Sequence, residues 1–383
     1  MVYNVVRNEG EMTMLKQFKV RNFKNFSEEC ILDFTKTRDY SFNTYLIKNG
    51  LINKALIYGK NGSGKSNLGL AVMDMAIHLS NNQRIMSLYS YPLNGDTACD
   101  YLSFEYIFDC GEKDITYSYK KNADMDLLEE EIKVGDDIVF EYNYKTNSYR
   151  STLEELKSFN FDLLKNRNLN TSIIKMIYGY SSVLPDNSPI KVLCEFANNM
   201  LWFRSVVGNQ FMGNLNQNED LEQYIVGKGE VEVAKFESFL KDCGLDYQLS
   251  IDTVGLNRRI IARFNSKSYP LFDIASTGTR SLWLFYYWMN RCDGHISFLY
   301  LDEFDAFYHP KLSLKILREV LSNDKFQAVV TTHNSYLADN SIMRPDCYLI
   351  LKDCKVKSFA DRTNKVIREG HNIEKMMLSD EFE

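Results

Sequence analysis

The sequence has no long hydrophobic run, no paired cysteines and no excess of positive charge. No stretch approaches the roughly 18 apolar residues that a membrane-spanning helix needs, and residues 1–13 lack the apolar segment of a secretory signal. None of the eight cysteines forms a C-x-x-C pair and the five histidines are dispersed, which excludes a zinc cluster or a disulfide framework. These absences predict a cytoplasmic protein with reduced cysteines and no membrane partner.

Basic residues are fewer than acidic ones, 45 against 51, so the net charge of the 383 residues is −6. This balance argues against binding of nucleic acid along the whole chain. A local basic stripe, such as Lys19, Arg21 and Lys24, leaves nucleic acid open as a partner. No heptad pattern persists over three repeats, so a long coiled coil is not expected.

One motif is complete. Residues 59–66 read Gly-Lys-Asn-Gly-Ser-Gly-Lys-Ser and match the phosphate-binding loop G-x-x-x-x-G-K-[ST], between a strand-like run at 54–58 and a helical start at 67–73. Backbone N–H groups of such a loop surround a phosphate, the lysine reaches the β- and γ-phosphates, and the hydroxyl binds Mg²⁺. The sequence therefore predicts binding of ATP and Mg²⁺. The expected ATP-binding residues here are Gly59, Asn61, Gly62, Ser63, Gly64, Lys65, Ser66 and Asn67, and Ser66 is also a metal ligand.

Two later apolar segments end in polar side chains of the kind this chemistry needs. Residues 296–303 end in Asp302 and Glu303, a Walker-B pattern in which the first carboxylate orients the metal shell and the second polarises the attacking water. Residues 327–334 end in Thr-Thr-His, and a histidine at the carboxyl end of a core strand faces the ligand crevice. Glu303 and His333 are thus the catalytic candidates, and Asp302 is a metal ligand.

A third segment, residues 276–280, reads Ser-Thr-Gly-Thr-Arg and opens an apolar helix. Ser276 and Gly278 offer a hydroxyl and backbone N–H groups to an anion at the helix N-terminus. An ordinary N-cap is the alternative interpretation of the same pattern.

Periodicity predicts an α/β protein. Strands are expected at 15–23 and 26–34, an antiparallel sheet over 101–144, helices over 151–245, and alternating strands and helices of a parallel sheet from 296. The expected organisation is a loose extension, a first ATPase lobe with an antiparallel β subdomain, a helical insertion lobe and a second ATPase lobe. Their boundaries are 1–13, 14–150, 151–245 and 246–383.

In this order the motifs resemble the ABC-type ATPase heads of SMC, Rad50, RecF and OLD-like proteins, and above all the AAA15/AAA21 group found in bacterial phage defence. Residues 18–26, ending Asn-Phe-Lys-Asn-Phe, are similar to the opening strand pair of that group, and 276–280 to its degenerate signature. Residues 302–310 resemble its Walker B and D-loop, and 368–376 its usual ending. No glutamine is assigned to the Q-loop, because Gln83 is too close to the phosphate loop.

The resemblance implies an ABC-type P-loop ATPase head that pairs with a second head, or assembles into a higher homo-oligomer, by sandwiching ATP. Ser276 and Gly278 would then cover the γ-phosphate held by Lys65 of the other subunit. It also implies a role in anti-phage defence with a separate effector, a nuclease or a toxin. A DNA-binding repair ATPase of the RecF/Rad50 kind is the alternative. An OLD-type nuclease is disfavoured because 50 residues after His333 are too few for its nuclease domain, and the signature disfavours a transporter subunit.

Overall fold

The fold is built on two seven-stranded sheets with helices packed around them. The computed structural model describes residues 12–81, 85–157, 159–160, 171–180, 184–204, 210–213, 221–254, 257–291 and 296–382.

The first sheet is antiparallel, as expected for residues 101–144, and it includes the two N-terminal strands paired with each other. Buried and half-buried side chains alternate along its strands, so that one face packs into the core and the other meets solvent. In spatial order its strands are β10 (Ser148–Ser151), β9 (Asp137–Asn143), β8 (Leu127–Val134), β7 (Ile115–Lys121), β6 (Leu102–Asp109), β1 (Met14–Arg21) and β2 (Cys30–Asp33).

The second, central sheet has a parallel core whose strands are buried on both faces, which explains their continuous apolar runs. The strands predicted after residue 296 and the strand before the phosphate loop all lie in it. Its spatial order is β12 (Gln210–Gly213), β11 (Met200–Arg204), β16 (Phe298–Asp302), β17 (Gln327–Thr331), β5 (Lys54–Tyr58), β18 (Tyr348–Lys352) and β19 (Lys355–Ser358).

The segment 151–245, expected as a helical insertion lobe, is only partly helical in the structure. It contains helices, but it also supplies β11 and β12 to the central sheet, with β11 parallel to β16. The short run Met-Leu-Trp-Phe-Arg gives no periodicity that separates a buried strand from a buried helix. Pairing with a strand almost a hundred residues later decides the conformation.

The remaining elements flank these sheets. Two small antiparallel sheets are formed by β3 (Ile47–Lys48) with β4 (Leu51–Ile52), and by β13 (Gln248–Val254), β14 (Asn257–Arg263) and β15 (Ser268–Pro270). The helices are α1 (Lys65–Leu79), α2 (Ile173–Tyr180), α3 (Pro189–Asn198), α4 (Leu221–Lys228), α5 (Glu230–Asp242), α6 (Leu271–Ile274), α7 (Thr277–Arg291), α8 (Pro310–Ser322), α9 (Phe359–Arg362) and α10 (Ile373–Leu378). Across the described ranges, no helix combines the length and the hydrophobicity needed to cross a membrane.

Helix α1 is fixed on both sides. Toward the central sheet, Tyr300 donates a hydrogen bond to the Lys65 carbonyl at 2.7 Å, and a Cβ at Gly69 would lie 2.5 Å from the Tyr300 ring. Toward the antiparallel sheet, the buried Asp74 carboxylate accepts from the Tyr119 hydroxyl at 2.9 Å and pairs with Lys121. The start of the helix therefore has little freedom to move relative to either sheet.

Candidate functional site

The phosphate loop connects β5 to α1 and needs glycine at two positions. Gly62 and Gly64 have φ angles of +78° and +102°, in the left-handed region that other residues rarely adopt. At Gly64 a Cβ would also lie 2.2 Å from Nδ2 of Asn25. Helix α1 starts directly after it, with the Leu68 amide donating to the Gly64 carbonyl at 2.8 Å.

Asn25 clamps this loop from the turn between β1 and β2. Its Nδ2 donates to the Ser63 carbonyl at 3.3 Å, and its Oδ1 accepts from Nδ2 of Asn67 at 2.7 Å. The thiol of Cys354 contacts the Asn25 carbonyl oxygen at 3.2 Å. The sequence motif around Asn25 indicated only a strand pair, because the contact joins segments about 40 residues apart.

The ammonium of Lys65 lies at the centre of the site. Its Nζ donates to the Gly59 carbonyl at 2.8 Å and lies 2.9 Å from Nε2 of His333. Burial lowers the pKa of Lys65, while the carboxylates of Glu303 and Asp302 oppose that shift. A buried ammonium among carbonyl oxygens is suited to exchange those partners for phosphate oxygens.

One hydroxyl joins the two strand ends that carry the acidic residues. Thr331 Oγ1 donates to Oδ1 of Asp302 at 2.9 Å and accepts from the backbone amide of Glu303 at 2.8 Å. Glu303 has a φ of +48°, a strained conformation for a residue with a side chain, and such strain is often held at functional sites. The Thr331 bond to the Glu303 amide stabilises that conformation.

Asp302 fits a metal site. Its side chain is fully buried, and Oδ2 makes no hydrogen bond of ordinary length to any residue the structure describes. Burial raises the pKa of Asp302, and the nearby Ser66 hydroxyl, the Arg204 guanidinium and the Thr331 hydroxyl oppose the shift. One carboxylate and one hydroxyl, completed by nucleotide phosphates and water, form the oxygen ligand set that Mg²⁺ prefers. Ser66 and Asp302 are therefore suited to hold Mg²⁺ together with a nucleotide.

His333 lies beside Glu303, with Nε2 3.7 Å from a carboxylate oxygen. Burial and then the charge of Lys65 lower the pKa of His333, whereas the charges of Glu303 and Asp305 raise it. The residue before His333, Thr332, is held by Asp305, whose Oδ2 accepts from the Thr332 hydroxyl at 2.7 Å. The arrangement presents a carboxylate and a neutral imidazole side by side, as a base and a hydrogen-bonding group for water.

The signature residues make a different set of contacts. The Ser276 hydroxyl lies 2.9 Å from that of Thr279 and accepts from the Thr279 amide at 3.2 Å, which is the N-cap geometry of α7. A Cβ at Gly278 would lie 3.3 Å from the Phe307 carbonyl. Among the described residues, no hydrogen bond joins Ser276 to the phosphate loop of the same chain. The motifs thus form two groups, one around Lys65 and one around Ser276.

A pocket of about 470 Å³ opens beside the loop. Gly59, Asn61, Gly62 and Ser63 line one side of it together with His333. The lining also includes residues of β18 and of the C-terminal segment, among them Leu351, Met377 and Phe382. Four of the expected phosphate-binding residues therefore border an open space next to the expected catalytic histidine.

Besides the Asn25 contacts, sequence reasoning missed a second residue of the site, Arg204. It is the last residue of β11, and its Nε lies 3.4 Å from Oδ2 of Asp302. No motif identifies it, because only the pairing of β11 with β16 brings it to the phosphate-loop edge. The Q-loop stays unassigned, and Gln83 lies outside the described residues.

Comparison with known families agrees with this geometry. The profile of the AAA_21 family, described as "AAA domain, putative AbiEii toxin, Type IV TA system", matches residues 54–339. The chain belongs to this family. The matched range of the AAA_21 domain runs from β5, through the phosphate loop and the signature, to just beyond His333. It confirms the AAA21-type resemblance indicated by the motifs.

Among the solved structures similar to the chain are heads of SMC proteins. They include an Smc head bound to the C-winged helix domain of ScpA (12% identity, 90% of this chain and 96% of that one covered, TM-score 0.43). Another is the SMC head domain from Thermotoga maritima (12%, 90% and 98%, 0.40). A third is the Pyrococcus furiosus Smc head with an extended coiled coil bound to the C-terminal domain of ScpA (13%, 91% and 96%, 0.42). No curated protein sequence matches the chain.

Proposed function

We propose that this protein is an Mg²⁺-dependent ATP hydrolase whose heads pair around ATP. The observation that carries the proposal is the convergence of Lys65, at the start of α1, with Glu303 and His333, which follow the strands β16 and β17, around one phosphate loop. Phosphoryl transfer needs positive charge at the γ-phosphate, a positioned water and a base to receive its proton, and these three residues supply those functions.

In the proposed reaction, Lys65 exchanges its bonds to Gly59 and His333 for oxygens of the β- and γ-phosphates. The Glu303 carboxylate accepts a proton from the attacking water, and neutral His333 holds that water through Nε2. Ser66 and Asp302 would hold the metal ion, which would neutralise phosphate charge. Thr331 keeps the two carboxylates in place through its paired hydrogen bonds.

Pairing of two heads is supported by the surface around the signature. Ser276 and Gly278 adjoin exposed apolar side chains, with Ile274 42% and Phe307 41% exposed. Covering such side chains with a second protein surface removes apolar area from water, which favours association. We propose that Ser276 and Gly278 contact the γ-phosphate held by Lys65 of the partner, in a homodimer or a higher homo-oligomer.

We further propose a cytoplasmic role in anti-phage defence with a separate effector protein, a nuclease or a toxin. The family description names a toxin of a toxin–antitoxin system, which supports a function in such a pair.

The alternative, a DNA-binding repair ATPase, finds less support. Of the expected basic stripe, Lys19 pairs with Glu105 at 2.7 Å, and Lys24 donates to the Ser90 carbonyl at 3.0 Å. The groove that Lys19 and Arg21 line is also lined by carboxylates, those of Glu29, Glu105, Glu129 and Glu131. Carboxylates at these positions repel phosphates, so salt-dependent DNA binding would be needed to favour this function.

The Glu303→Gln variant tests the proposed function. It keeps the shape of the side chain but removes the base, so ATP should bind while hydrolysis falls about 10²-fold or more. Light scattering should then detect a dimer that forms with ATP and is absent without nucleotide. Glu112→Gln, in an exposed turn, is the matched control and should behave as the wild type. Hydrolysis at the wild-type rate, or a monomer in saturating ATP, would contradict the proposal.

A further inference from the structure

Arg204 occupies a position that no motif explains. It ends β11, and its register partner in the parallel neighbour β16 is Asp302. The carboxyl ends of parallel strands meet at one edge of a sheet, so Arg204 lies on the same edge as Asp302, Glu303 and the phosphate loop. A cation is thereby built into the nucleotide site of the same chain.

The contact between Arg204 and Asp302 is close but incomplete. Nε lies 3.4 Å from Oδ2, yet neither atom makes a hydrogen bond of ordinary length to a described residue. The side chain of Arg204 is 21% exposed, whereas that of Asp302 is fully buried. An arginine that served only to neutralise Asp302 would gain most from a two-point hydrogen-bonded pair. Among the residues that the structure describes, no hydrogen bond occupies the donors of this guanidinium, which leaves them for another acceptor.

We propose that Arg204 is a catalytic residue that binds an oxygen of the γ-phosphate of ATP in the same chain. The inference rests on the proposed ATP hydrolysis. Water attacks the γ-phosphorus, the bond to the β–γ bridging oxygen breaks, a water proton passes to Glu303, and ADP and phosphate leave. Arg204 forms no covalent bond in this sequence. It stabilises the charge on the γ-phosphoryl oxygens, for which the planar guanidinium is well shaped.

The test compares the full-length Arg204→Ala and Arg204→Gln proteins with the wild type. Calorimetry in the presence of Mg²⁺ measures the affinity for ADP and for ADP with aluminium fluoride, which mimics the transferring phosphoryl group. Both variants should bind ADP as the wild type does. The factor by which aluminium fluoride raises the affinity for ADP should be at least about tenfold smaller in the variants than in the wild type. Their kcat should fall about 10²-fold or more, as for other groups that stabilise the transition state. Arg150→Ala is the matched control, because Arg150 lies on edge strand β10 and pairs with Glu141.

The outcomes separate the two claims. If the wild type hydrolyses ATP and the folded variants keep the full gain from aluminium fluoride, the role of Arg204 is overturned and the ATPase proposal stands. If both variants fail to fold, Arg204 serves to compensate the buried Asp302 charge, which also overturns the inference. If the wild type neither hydrolyses ATP nor gains affinity from aluminium fluoride, the proposed function itself is wrong.

Discussion

The Nζ atom of Lys65 lies 2.9 Å from Nε2 of His333, although the two residues are 268 positions apart in the sequence. An ammonium group can only donate hydrogen bonds, so Nε2 must be the acceptor and the imidazole must be neutral with its proton on Nδ1. The lowered pKa of His333 agrees with this assignment, because burial and the charge of Lys65 both disfavour the imidazolium. The contact therefore joins the phosphate loop to the end of β17 only while His333 is uncharged.

This contact makes the stability of the nucleotide-free protein depend on pH. The pKa of His333 is below its ordinary value of 6.5 in the folded state. Below a pH of about 6.5 the unfolded chain binds more protons at this histidine than the folded one, so the free energy of unfolding decreases as the pH falls. Between about pH 7.5 and 5.5 the melting temperature of the wild type should fall more than that of His333→Gln. An equal change of melting temperature with pH in the two proteins would contradict the assignment of a neutral histidine beside Lys65.

Lys65→Ala should remove most of the affinity for ATP. Charge-assisted hydrogen bonds contribute about 1.5–3 kcal/mol each, and the ammonium makes more than one to the phosphates. Calorimetry should therefore show a loss of several kcal/mol of binding free energy. Lys113→Ala, an exposed lysine in a turn of the antiparallel sheet, is the control. Equal ATP affinity of the Lys65 variant and the control would contradict the assignment of the phosphate loop.

Thr331→Val should impair both stability and turnover. The substitution keeps the shape of the side chain but leaves a buried oxygen of Asp302 and the Glu303 amide without their partner. Each unsatisfied buried group costs about 1–3 kcal/mol, so the free energy of unfolding in urea should fall by about that amount or more. The kcat should also fall, because Glu303 loses the bond that holds its strained backbone. Thr116→Val, on a strand of the antiparallel sheet, should change neither quantity. A variant with wild-type kcat would show that Thr331 does not position Glu303.

The sequence predicted the elements whose local pattern is complete. The phosphate loop, the apolar strands before Asp302 and His333, and the antiparallel sheet follow from glycine spacing and hydrophobic periodicity alone. It did not predict that β11 joins the central sheet, because the pairing of Met200 with Phe298 is a long-range event. Arg204 and the Asn25 clamp were missed for the same reason: their roles come from contacts with residues far away in the chain.

The central claim is that the site of one chain is completed by Ser276 of another. Ser276→Arg should block the pairing of heads while each head still binds ATP, and Lys65→Ala should abolish binding. When the two inactive variants are mixed, a mixed pair contains one site with both lesions and one site with neither. Random pairing of equal amounts should therefore restore up to about a quarter of the wild-type ATPase activity. This recovery is the result that the account predicts. If light scattering shows the mixture to be dimeric and its ATPase activity is still not restored, the result would contradict the claim that Ser276 completes the site of the other subunit.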